Sequence, residues 1–148
     1  MENLFQIQYI DILPGGRGKQ RLKRGEVCLY KSIKKDLSDR TYYIRINSFD
    51  SEECIKKGFV YCKIGKVITG QVLIVLTKND GVKMTIDQNG GCLRLNSKSA
   101  LCGLLELLGI VSDDSELHLR LICNLQKIAE KDDMIVFSVD NENKENKP

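Results

Sequence analysis

The chain has no tryptophan, one histidine and two prolines in 148 residues. None of its six cysteines forms a CxxC pair. Each scarcity excludes something. A zinc site wants paired ligand spacing, which Cys28, Cys54, Cys62, Cys92, Cys102, Cys123 and the lone His118 do not offer. The cysteines lie mostly in apolar stretches and read as small buried hydrophobes of a reducing compartment. There is no GxSxG, HExxH or GxGxxG. "GGRGK" resembles part of a phosphate-binding loop, but Leu13 and Gln20 stand where a P-loop needs Gly and Ser or Thr. The longest apolar window, "VITGQVLIVL" at 67–76, is half the length of a membrane helix. "MENLFQIQYI" has neither a basic nor an apolar signal region. A cytoplasmic, non-enzymatic protein without cofactor or metal is the expectation.

An apolar content of 42% suffices for a core in one domain. Its bounds are set at 1–139, followed by a polar tail, 140–148, expected to be disordered. The net charge of +3 is unevenly spread: residues 1–66 carry 14 Lys/Arg against 8 Asp/Glu, whereas 67–148 carry 9 against 12.

Short alternating runs predict strands. "LFQIQYIDIL" is followed by the connector "GGRGKQRLKRG" (15–25) and by "EVCLYKSI", which together suggest a long-tipped hairpin. "TYYIRINSF" is another strand, and Asp50 is placed to cap a short helix ending at Gly58. "FVYCKI", "QVLIVLT", "VKMTID" and "CLRLN", with turns "NDG" and "QNGG", read as an antiparallel meander over 59–96. "LHLRLICNLQKI" and "MIVFSV" form a last hairpin. The fold class is α+β: about nine antiparallel strands in a sandwich or partly closed barrel, with one buried Leu-rich helix at 97–109. The echo between "YIRINS" (43–48) and "CLRLNS" (92–97) raises a duplicated unit, 1–58 and 59–110.

In the helix, Leu101, Leu104, Leu105 and Leu108 share one face, and Leu107 widens it. A helix apolar on most sides must be covered on most sides, by its own chain or by a second subunit. Leu104, Leu107 and Leu108 are therefore candidate interface residues of a homodimer. Gly103, in the helix interior, hints at a close backbone approach.

Positive charge marks the functional candidate. Arg17, Lys19, Arg21, Lys23 and Arg24 crowd one Gly-rich connector, and Lys31, Lys34, Lys35 and Arg40 follow. Charge at backbone spacing on a flexible segment suits phosphate neutralisation. Tyr9, Tyr30, Tyr42, Tyr43 and Tyr61 lie in the same half and could stack on bases. The expectation is a nucleic-acid-binding module. The alternative is a protein–protein interaction or assembly protein using the helix and sheet edges. His118 reads as a solvent-facing strand residue, and Asp113-Asp114 and Asp132-Asp133 as turn residues.

The stretch "TIDQNGGCLRLNSKSALCGLLELLGIVSDDSELHLRL" (85–121) resembles in outline the swapped-hairpin DNA-binding domains of AbrB type: strand, Gly turn, strand, a short helix ending in Leu-Gly-Ile, strand. It departs from them in a longer helix, in Asn96-Ser97 where they have proline, and in having its basic residues elsewhere. We assign no membership on this outline.

Overall fold

The computed structural model describes residues 22–34, 40–88, 90–110 and 117–141. In chain order the elements are β1 (Glu26–Ile33), β2 (Arg40–Ile46), α1 (Ser48–Lys56), β3 (Tyr61–Lys66), β4 (Val72–Thr77), β5 (Val82–Lys83), β6 (Thr85–Ile86), β7 (Leu93–Leu95), α2 (Lys98–Leu107), β8 (His118–Glu130) and β9 (Met134–Asp140). All nine strands among the described residues belong to one antiparallel sheet of order β5-β3-β4-β9-β8-β1-β2-β7-β6. The two terminal strands of that order are consecutive in sequence, separated only by Met84. The sheet therefore rolls into a nearly closed barrel. Met84 is 3% exposed and donates its N–H to the Val60 carbonyl at 2.8 Å. Gly81 lets the chain arrive there: a Cβ at that position would lie 2.4 Å from the Cys62 carbonyl oxygen.

Alternation fixes the inside. Val27 and Leu29 of β1, Ile44 and Ile46 of β2, Ile74 and Leu76 of β4, and Ile135 and Phe137 of β9 all enter the core. A helix closes each end. At one end, Asn47 caps α1 by accepting the Asp50 N–H at 2.8 Å, and its amide donates to the Glu26 carbonyl at 2.9 Å. The fully buried Ser51 hydroxyl donates to the Ile46 carbonyl at 3.1 Å and accepts the Leu93 N–H at 2.9 Å. It thus ties α1 to β2 and β7. Opposite this end, Ser97 caps α2 by accepting the Ala100 N–H at 3.1 Å. Leu101, Leu104 and Leu105 enter the core beneath it. Both helices finish alike. Phe59 and Gly58 donate to Cys54 and Ile55, and Ile110 and Gly109 donate to Leu105 and Glu106. Gly58 and Gly109 take φ values of 84° and 76° at the turning residue of this motif.

Several expectations change. The α1 cap is Asn47, with Asp50 in the first turn. The 59–96 stretch is not a simple meander: β5 returns to β3, while β6 and β7 join β2 at the far side of the sheet. The run expected to pair with β1 lies outside the described residues, and both edges of β1 are occupied, by β2 and β8. The described chain runs past the 139 boundary, since Asp140 ends β9 and Asn141 is 9% exposed. Residues 142–148 of the expected tail lie outside the described residues. The two echo segments lie side by side in antiparallel register, with Arg45 opposite Arg94. The strands and helix of the 85–121 outline are present, but β7 pairs with β2, and β8 with β1 and β9. The segment is woven into the barrel and is not a separate hairpin unit.

Candidate nucleic-acid interface

Arg17, Lys19 and Arg21 of the connector, and Lys35, lie outside the described residues. Lys23 and Arg24 are exposed where β1 begins, and the Arg24 guanidinium lies 5.1 Å from the centre of the Phe49 ring. Lys34 and Arg40 are exposed at the other end of β1, where β2 begins. The eight residues of β1 separate these pairs by about 26 Å, at roughly 3.3 Å per residue. The described cations therefore form two groups at opposite ends of the barrel. Lys31 leaves both. It shares the inward parity of Val27 and Leu29 and is 5% exposed, so its charge is not presented at the surface.

The group at the α2 end is built into a cleft. Arg40, Thr41 and Tyr42 open β2; Asn96, Ser97 and Lys98 carry the chain from β7 into α2; together they line an open cleft of about 340 Å³. The Lys98 ammonium lies 5.7 Å from the centre of the Tyr42 ring. Two cations and no acid are among the described residues of the lining. The first N–H groups of α2 add the positive end of the helix dipole. Helices ordinarily favour Asp or Glu there. This one has no acidic residue in its first turn and begins with Lys98. Three positive features thus converge, with no acid among the described lining residues.

The remaining tyrosines serve other ends. Tyr9 lies outside the described residues, and Tyr61 is half-buried in β3. Tyr30 and Tyr43 stack at 4.7 Å, His118 meets Tyr30 edge-on at 5.5 Å, and the Arg94 guanidinium covers Tyr43 at 5.3 Å. Burial, foremost, pushes the Tyr43 hydroxyl above its ordinary pKa. Arg45 beside them is hydrogen-bonded and ion-paired to Asp87. Burial works against its charge, but Asp87 more than offsets this and the net shift is upward. This outer-face cluster braces β1, β2, β7 and β8.

Of the interface leucines, Leu104 is fully buried within its own chain and is not available to a partner. Leu107 and Leu108 are half-buried and line a second cleft with Gly70–Val72 of the β3–β4 turn and strand β4, Gln126 of β8, and Ser138–Asp140 of β9. The cover required for the wide apolar arc comes largely from the same barrel. Gly103 has open space where a Cβ would stand, so no close approach accounts for it. Five cysteines are buried and Cys102 is exposed. Burial pushes the Cys54, Cys62 and Cys123 thiols up to about 12. Among the described residues no cluster of metal-ligating side chains occurs, and no helix is long and apolar enough to cross a membrane. Asp113-Asp114 lie outside the described residues, and Asp132-Asp133 form the β8–β9 turn.

Sequence reasoning reached Arg40 and Tyr42. It missed Lys98, because charge runs were weighed along the chain and Lys98 stands alone in its stretch. No protein family, curated protein or solved structure matches this chain.

Proposed function

We propose that this protein binds nucleic acid, with the cleft of Arg40, Tyr42 and Lys98 as its phosphate-holding site, and that it acts as a binding module without catalysis. The observation that carries this reading is the convergence of two exposed cations and the α2 N-terminus in one cleft, with no acid among its described lining residues. Such a site favours an anion. A phosphodiester meets its needs: one charge, several acceptor oxygens, and a neighbouring base to lie against Tyr42. The free cysteines fit a reducing, cytoplasmic setting.

The test is fluorescence anisotropy with labelled single- and double-stranded oligonucleotides over a salt series. The Arg40→Ser/Lys98→Ser double variant should bind more weakly. Its log–log salt slope on duplex should be shallower by about 1.8, since each lost phosphate contact removes roughly 0.9. A double variant with the parent's slope and affinity would remove the cleft from the reading. A parent that binds no oligonucleotide at low salt would remove the function.

A further inference from the structure

Ile68 is 105% exposed, more than any other large apolar residue among those described. It stands at the tip of the β3–β4 hairpin, "KVITGQ" (66–71). The tip is fixed, because Val67 donates to the Gln71 carbonyl at 2.9 Å and Gly70 to the Val67 carbonyl at 2.8 Å. Lys66, Thr69 and Gln71 beside it are exposed, and no acid lies between Lys63 and Gln71. The hairpin also has a definite relation to the cleft. The first residues of α2 line the cleft with Arg40, while Leu107 and Leu108 at its other end share a cleft with Gly70, Gln71 and Val72. A helix of ten residues spans about 15 Å. Cationic cleft and apolar tip therefore flank the same helix on one end of the barrel.

Size decides what the tip fits. One isoleucine and a 38% exposed Val67 offer a small fraction of the roughly 800 Å² per partner of a standard protein interface. They also lack the broad apolar face of a membrane-surface helix. A single aliphatic side chain on a hydrogen-bonded turn, with a lysine at its foot, matches the apolar wedges that enter a base step from the minor groove. We propose that Ile68 is such a wedge: it inserts between adjacent base pairs of duplex DNA and partly unstacks them. Lys66 meets the phosphate flanking the step, and the Arg40–Lys98 cleft holds the backbone farther along. This rests on the nucleic-acid reading above and adds to it the duplex and the mode of contact.

The experiment uses the full chain and short DNA duplexes at low salt, each with one 2-aminopurine, whose fluorescence rises when it is unstacked. Binding is followed in parallel by anisotropy. The parent should bind and raise the 2-aminopurine signal at a subset of positions. Ile68→Ser should bind within about fivefold of the parent, because the unstacking cost offsets much of the gain from burying the side chain. It should give no rise. Binding of the parent without any rise, or an equal rise with Ile68→Ser, overturns the wedge and leaves the nucleic-acid reading standing. Binding to single strands alone overturns the wedge in the same way. Absence of binding to every oligonucleotide overturns both. Circular dichroism of Ile68→Ser should match the parent, since the side chain packs against nothing.

Discussion

Replacing Ser51 with alanine tests how α1 is held to the barrel. Ser51 is fully buried, and its hydroxyl both accepts the Leu93 N–H and donates to the Ile46 carbonyl. Alanine keeps the fold of the helix and removes both bonds. Leu93 is also fully buried, so its N–H is left without an acceptor and without access to water. An orphaned buried donor costs about 1–3 kcal/mol. The Ile46 carbonyl loses a donor as well, a smaller term of about 0.5–1.5 kcal/mol. The combined loss is about 2–4 kcal/mol, a large share of the roughly 5–15 kcal/mol by which such domains are stable. With a urea slope of about 2 kcal/mol/M, the unfolding midpoint should fall by about 1–2 M at unchanged slope. Ser99→Ala is the control: Ser99 is exposed and its hydroxyl meets only Ser97 Oγ at 3.2 Å. Its midpoint should move by no more than about 0.5 kcal/mol in equivalent stability. A Ser51→Ala midpoint as little displaced as that of Ser99→Ala would refute the inference that this hydroxyl is the tie between helix and strands.

Two further outcomes follow from the same structure. Gly103→Ala should stabilise the protein by about 0.5–1 kcal/mol, because the site lies inside α2 with open space for the methyl group; a thermal midpoint that falls would show that the glycine is required there. The exposed network of Glu53, Lys57, Lys127 and Glu130 links α1 to β8. Hydrogen bonds from Lys57 and Lys127, first among the causes, hold Glu53 and Glu130 below their ordinary 4.5. Folded values below unfolded ones mean that this contribution is present above about pH 4.5 and is lost as pH falls further. The Glu53→Gln/Glu130→Gln variant should therefore be less stable than the parent near neutrality and should converge on it in acid; a gap in urea midpoint that stays constant down to pH 3 would count against the network.

The local code of this chain was plain, and its long-range pairing was not. Both helices and their glycine stops follow from periodicity and punctuation, and most strand positions follow from alternation. The 59–96 stretch misled because "NDG" and "QNGG" signal that the chain turns, not which strand it meets next. Met84, in the middle of an apparently continuous run, is where pairing passes from β3 to β7. The burial of Lys31 was legible in principle, since Val27, Leu29 and Lys31 share one parity of a single strand. The charge pattern along the sequence obscured it. The cleft was hidden for a different reason. Arg40 and Lys98 meet only because β2 and β7 are neighbours in the sheet, and no spacing within either segment records that adjacency.

The passage of the chain from β5 through Met84 to β6 has a consequence for association. Sheet edges normally recruit other strands, and proteins blunt them with charges, proline or cover. Here the two terminal strands are one stretch of backbone. Each strand has only two residues and is paired along one side, β5 with β3 and β6 with β7. Val82 and Ile86 can thus stand 59% and 50% exposed with little ladder beside them to extend. That protection belongs to the continuity of the chain and not to the side chains. A break in the backbone at Met84 would free both strands at once, each with an apolar residue already outside, and would turn a self-contained barrel into a sheet able to grow from either side.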